Sequence, residues 1–432
     1  MIGRLNTFQK SMLQWNDLHA YNAVHVVRIQ GEPEAARLET SIHATLEKRG
    51  LTFLTLDRGS NTFQYESGQT GCEIRIMPDS RHPPDALVAE MERELNRPFP
   101  CHERFCPFRF LIAPAGASYF LGVTYFHPVA DAESVVMLLR EIVNEHLRLN
   151  APAFADSLDV YPDARAHLLR RHPGVVFRRL LGLPAQIGRL RRSHRVEHRN
   201  AGDMTNGFAF FTLEPNEMTS LIAAARSWRV TVNDLFMAML MKSLSPWAKG
   251  RLESRKRNRI SVGCIVNTRR QIGVDSERTF GLFLGSCIVT HDVPEGIGLQ
   301  QLAEDLAEQT TLIKRHKLFL GTAMELGFAR FVLRFFSPRR RRTFYPKNWP
   351  LWGGVTNMNL NSLWKQSEDD VPLDYFRGVS TGPITPLVFS ITTAGERANI
   401  GISYRTSAFL KSDVAQVKER FTEILNETRR TG

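Results

Sequence analysis

The stretch from Tyr119 to Leu147 leaves a folding chain few choices. Tyr119 to Phe126 (YFLGVTYF) is dense in aromatic and apolar residues, the composition of a core strand. Pro128 has no N–H to give to a ladder, so the strand ends before it. Asp131 is placed to cap a helix, with Glu133 in the first turn where negative charge is favourable. Val135, Val136, Leu138, Leu139, Ile142 and Val143 then recur at helical spacing. The segment predicts a buried strand, a short turn and an amphipathic helix. His127 and Asp131 sit on the turn, where the backbone changes direction and a side chain can face a cleft.

A neutral imidazole can take a proton from a hydroxyl or amine near neutral pH. It needs a fixed ring and a defined tautomer, and a nearby carboxylate can fix the ring or the turn that carries it. The chain has 13 histidines, and His43 and His291 each have a Glu four residues on. Only His127 has an Asp at that offset, after an apolar strand and before a capped helix. Spacing alone leaves two readings: a general base, or a turn histidine beside a helix cap.

The motif resembles the active-site signature of the chloramphenicol acetyltransferase-like superfamily. That superfamily includes condensation domains, wax ester synthases and polyketide-associated acyltransferases. The common form is His-His-x-x-x-Asp-Gly, and here it reads Phe126-His127-Pro128-Val129-Ala130-Asp131-Ala132. The second His is present; Phe126 stands for the first and Ala132 for the Gly. The resemblance implies an α/β fold built of α+β two-layer sandwiches, in two lobes with an active-site tunnel between them. It implies acyl transfer from a thioester to a hydroxyl or amine, with His127 as general base. An Arg after the strand ending at Val266 pairs with the motif Asp in this superfamily; Arg269 aligns best, with Arg270 in reserve. Asp131 would then hold the turn's shape. Thr356 or Asn357, on a later strand, would donate to the oxyanion, with structural hydrogen bonding as the alternative. Gly281, in Phe280–Ser286, would allow close approach of backbone or ligand. The segment Asp374 to Gly382 (DYFRGVSTG) falls where such acyltransferases carry Asp-Phe-Gly-Trp-Gly or a variant.

The length of 432 residues allows two or three domains, or two large lobes. We expect a first lobe over 1–150, a basic linker punctuated by Pro and Gly over 151–200, and a second lobe over 201–432. No run of about 18 or more apolar residues appears, so no bilayer-spanning segment is expected. The first residues lack the apolar core of a signal peptide. Five cysteines, without a CxxC, fit reduced thiols and a cytoplasmic location; they are read as core or incidental, and no metal is expected.

The net charge of +12 is concentrated. Residues 165–199 carry a local +9 and residues 327–347 a local +7, so the rest is mildly acidic. That pattern excludes a basic face throughout, and with it a nucleic-acid partner. It fits two local contacts with something acidic: CoA phosphates, an acidic acyl carrier protein or an anionic membrane surface, with a solvated run as the alternative. No tightly bound cofactor is expected; acyl-CoA or a phosphopantetheinyl thioester would be co-substrate, a small molecule or lipid the acceptor, and the protein a monomer. A second class of reading is a non-catalytic protein that docks a carrier protein or membrane through its Arg-rich segments. The rival motif Gly378-Val379-Ser380-Thr381-Gly382 matches a hydrolase nucleophile elbow, but Pro383 and Pro386 obstruct the helix it needs, and no His follows His316.

Overall fold

The computed structural model describes residues 1–69, 71–80, 82–149, 158–160, 173–364, 372 and 374–429. Two open sheets organise them. The first has five strands in the order Asp374–Val379, Asn22–Gln30, Ser118–Phe126, Phe108–Ala115 and Glu73–Ile76. The second has six, in the order Leu284–His291, Ile260–Asn267, Gly353–Asn359, Leu387–Ala394, Arg397–Arg405 and Asn206–Leu213.

The strand that carries the motif is the middle strand of the first sheet. Every residue from Ser118 to Phe126 is buried, which explains its continuous apolar run in place of an alternating one. It pairs antiparallel with Asn22–Gln30 on one side and with Phe108–Ala115 on the other. On one face, Leu38, Ile42 and Leu46 of the helix Ala35–Lys48 and Val135, Leu138 and Ile142 of the helix Ala132–Leu147 join Leu121, Val123 and Tyr125 in a core. On the other, Leu87, Met91 and Leu95 of the helix Pro83–Asn96 cover Val24, Val26, Leu111 and Phe120.

The second sheet has a separate core. Its strands pack on the helices Pro215–Ser227, Val232–Leu244, Leu299–Arg315 and Lys411–Arg429. The helix Val232–Leu244 opens on a reciprocal cap between Thr231 and Asp234, and it is buried along almost its whole length.

The chain does not divide cleanly at 201. The strand Asp374–Val379 leaves the second half of the sequence and adds to the edge of the first sheet, with Arg377 opposite His25. It lies against the strand Arg397–Arg405 of the second sheet so closely that a Cβ on Gly401 would collide with the Arg377 carbonyl. Within the basic segment, residues 165–172 lie outside the described residues, and Pro173–Arg191 is a helix that runs through Gly182 and Pro184. The helices Thr7–Asn16 and Thr322–Leu333 also had no counterpart in the sequence reading. Among the described residues no helix is long and apolar enough to cross a membrane.

Candidate active site

After Phe126 the chain makes one 3₁₀ turn, His127–Val129, before Asp131 caps the helix Ala132–Leu147. The turn is short and contains Pro128, so its backbone groups cannot satisfy one another; three separate parts of the chain and one side chain of the turn do so instead. The His127 N–H donates to Tyr21 O at 3.2 Å, and the Asp131 N–H to Gly281 O at 2.9 Å. Buried Gln9 donates from Nε2 to Pro128 O at 3.1 Å. The fourth partner is His127 itself, whose Nδ1 lies 3.0 Å from Ala130 O.

That last contact sets the tautomer. A carbonyl oxygen only accepts, so Nδ1 carries the proton and Nε2 of the neutral ring is bare. The ring is 8 % exposed and stacks on Tyr21, with centroids 5.5 Å apart and 12° between planes. Tyr125 meets it edge-on at 5.6 Å. Burial pushes the imidazole down from 6.5 to about 4; the Ala130 carbonyl and the Asp131 charge oppose the shift and are outweighed.

Asp131 does not touch the ring. Its Oδ1 accepts the Ser134 N–H at 3.0 Å, as an N-cap does. Its Oδ2 accepts from Arg269 Nη1 at 2.6 Å and from the Phe283 N–H at 2.9 Å. Arg269 Nη2 reaches Ser134 Oγ at 2.7 Å, and the same hydroxyl bonds both the N–H and the carbonyl of Gly281. Asp131, Ser134, Arg269 and Gly281 thus form one buried latch that ties the motif turn to the second half of the chain. Arg270, the reserve residue, is exposed. Glu133 adds bonds to the side chains of Asn267 and Ser276.

His127 lines a cavity of ≈ 200 Å³ whose walls come from both sheets. The first sheet supplies Ala23, His25, Tyr125 and Arg377; the second supplies Cys264, Cys287, Thr356 and Ser390. Trp15, Tyr345 and Trp349 close it with aromatic surface. Ala132 also lies on this wall, so its methyl group occupies space that a glycine would leave. Phe126 does not lie on it; its ring packs between Phe99 and Phe105 in the core, with centroids at 5.9 and 5.5 Å.

Thr356 is on the cavity wall, Asn357 is exposed, and Gly281 is spent on the latch. Two polar residues of the cavity wall were not picked out in the sequence. His25 and Arg377 are polar positions inside buried strands, and that interruption was the signal. His25 binds the Tyr375 hydroxyl from Nδ1 at 2.8 Å, and its pKa is held well below the ordinary value by burial, then by the Arg377 charge and His127. Cys264 and Cys287, read as core, pair across neighbouring strands and face the cavity. Ser380 of the rejected elbow also faces it, but its Oγ donates to Leu95 O at 3.0 Å and accepts the Asn22 N–H at 3.1 Å, and a turn follows it where an elbow needs a helix.

No protein-family model matches the sequence, and no curated protein does. Solved structures do match. The condensation domain from Monacolin K polyketide synthase MokA aligns at a TM-score of 0.71 with 12 % identity, over 98 % of this chain and 96 % of that one. The first condensation domain of the CDA synthetase aligns at 0.72 with 13 % identity, over 99 % and 96 %. The chain has the fold of these condensation domains. A third match to this condensation-domain fold is the EpoB NRPS cyclization-docking bidomain from Sorangium cellulosum, at 0.71 and 11 % identity, over 99 % and 85 %. At such identities the likeness carries the fold, and chemistry has to be argued from the cavity of this condensation-domain fold itself.

Proposed function

We propose that the protein is an acyltransferase that moves an acyl group from a thioester to a hydroxyl or amine, with His127 as general base. The observation that carries this reading is the bond from Nδ1 to the Ala130 carbonyl, which leaves Nε2 as the bare nitrogen of a ring on the cavity wall. In the reaction, Nε2 takes the acceptor's proton as its oxygen or nitrogen attacks the thioester carbon. The tetrahedral intermediate then expels the thiolate, which leaves with the proton returned by the imidazolium. A positioned base of this kind contributes about 10²–10⁴-fold. Asp131 and Arg269 act as positioning residues for the turn, and Thr356 is the better placed of the two oxyanion candidates.

The donor is a phosphopantetheinyl thioester, on CoA or on an acyl carrier protein. Supporting this, a groove of ≈ 1040 Å³ is lined by Arg191, Arg192, Arg195, Arg255, Arg257 and Lys347, with no acidic side chain among the described residues of its lining. Trp349 belongs to the walls of both groove and cavity, so a phosphate held in the groove would sit next to the cavity.

A second reading has one observation in its favour. Phe328, Phe331 and Phe335 are 54, 57 and 74 % exposed, at spacings that set them on one side of the helix Thr322–Leu333 and its end, next to the basic run ending at Arg342. Such a surface suits docking to an anionic membrane without turnover. Thiol release from a panel of acyl-CoA and acyl-pantetheine thioesters, with amine and alcohol acceptors, separates the two. Acceptor-dependent release is expected; vesicle binding with no release on any pair would favour the docking reading.

A further inference from the structure

Arg377 lines the same cavity as His127 and is only 3 % exposed. Its Nε donates to Thr392 Oγ1 at 2.7 Å, and its Nη2 to the carbonyls of Thr356 at 3.2 Å and Ile391 at 2.5 Å. All three acceptors are neutral. Among the described residues no carboxylate lies within ion-pair distance of it, and Nη1 makes no hydrogen bond. The other buried arginines of the first sheet and its helices are different: Arg49 is paired with Glu141 at 2.6 Å and Arg109 with Glu94 at 2.6 Å.

A buried cation without a counter-ion is costly, and a residue that only cross-links two strands does not need a charge. Burial lowers the Arg377 guanidinium to about 10, so it remains a cation at neutral pH. The titratable groups around it do not compensate: burial holds His25 neutral and keeps the Tyr125 and Tyr375 phenols protonated. Two other buried arginines, Arg251 and Arg405, are also held by carbonyls alone, but neither lines the cavity. Arg377 does, and Glu325 on the cavity wall forms no ion pair with it, so Nη1 is left free for an anion from outside the chain.

We propose that Arg377 is a binding residue for a carboxylate, so that one reactant is an acid whose anionic end meets the free Nη1 while its reacting group reaches His127. This names the substrate class for the acyl-transfer reading and rests on it for the second half of that statement. A planar fork with two donors already anchored leaves the remaining edge fixed in direction, which suits a carboxylate better than a mobile ammonium would.

The test uses the full chain and three probes of one length: hexanoate, hexan-1-ol and hexylamine. Binding is read by quenching of Trp15 and Trp349, both on the cavity wall. Hexanoate is expected to bind about tenfold more tightly than hexan-1-ol, the effect of one charge-assisted bond, and hexylamine more weakly than either. Arg377→Met should erase the preference, Arg377→Lys should keep part of it, and His127→Ala should keep all of it. Equal binding of hexanoate and hexan-1-ol, or a preference that survives in Arg377→Met, would overturn the proposal. If Arg377→Met does not fold, the wild-type ranking and Arg377→Lys still decide it. The readout needs no turnover: a carboxylate preference without thioester chemistry sinks the acyltransferase reading alone, and turnover without the preference sinks this one alone.

Discussion

A histidine that must act as a base has to be neutral, and burial is the means used here. The usual imidazole titrates at 6.5, and His127 is pushed down to about 4. The rate should therefore stay level from roughly pH 5 upward and fall only in more acid solution. A pH profile that turned down near 6.5 would mean a ring more hydrated than this one. The same shift affects stability. The unfolded chain takes up a proton on this histidine below 6.5, the folded one only near 4. Its contribution to stability is full above 6.5 and is lost as pH falls through that window, a trend chemical denaturation across the range would report. Arg269 is legible at this scale too. Nη1 and Nη2 serve two partners, Asp131 and Ser134, so a single ammonium cannot replace the fork. Arg269→Met leaves Asp131 buried and unpaired, and should cost about 3–5 kcal/mol in unfolding free energy, with Arg269→Lys recovering little. His127 and Asp131 could be picked out from sequence because they sit where one element ends and the next begins, whereas Arg269 was singled out, with Arg270 in reserve, only through the resemblance. His25 and Arg377 left only a faint signal, one polar residue inside an apolar strand, and only the folded cavity gives each a neighbour.

Elements with strong local signals were readable. The motif strand and helix follow from the apolar run that ends at Phe126, from Pro128 and from the Asp131 cap. The placement of Asp374–Val379 was not readable, since no local pattern says which sheet a strand will join. Its seat depends on Gly401, where the two strands touch backbone to backbone. Gly401→Ala has no flexible side chain to push aside and should destabilise by about 1–3 kcal/mol, measurable as a shift in the denaturation midpoint. Weakly amphipathic, Arg-rich sequence hid the helix Pro173–Arg191 in the same way, because Gly and Pro there mimic a linker.

At the scale of the molecule, two sheets with separate cores meet at a cavity that neither closes alone. The first sheet borrows a strand from late in the chain, and the motif turn is latched by residues 150 positions away or nearly so, from Arg269 to Phe283. The basic groove beside Trp349 predicts that activity with a phosphate-bearing donor weakens as salt rises. Arg192→Glu and Arg257→Glu together should raise the donor KM and leave that of a short acyl thioester without phosphate nearly unchanged. The most direct measurement of the whole account is acceptor-dependent thiol release by wild-type protein and His127→Ala side by side, with circular dichroism to show that both are folded. The account predicts a fall of about 10²–10⁴-fold in the folded variant. Release at the wild-type rate by folded His127→Ala would contradict it.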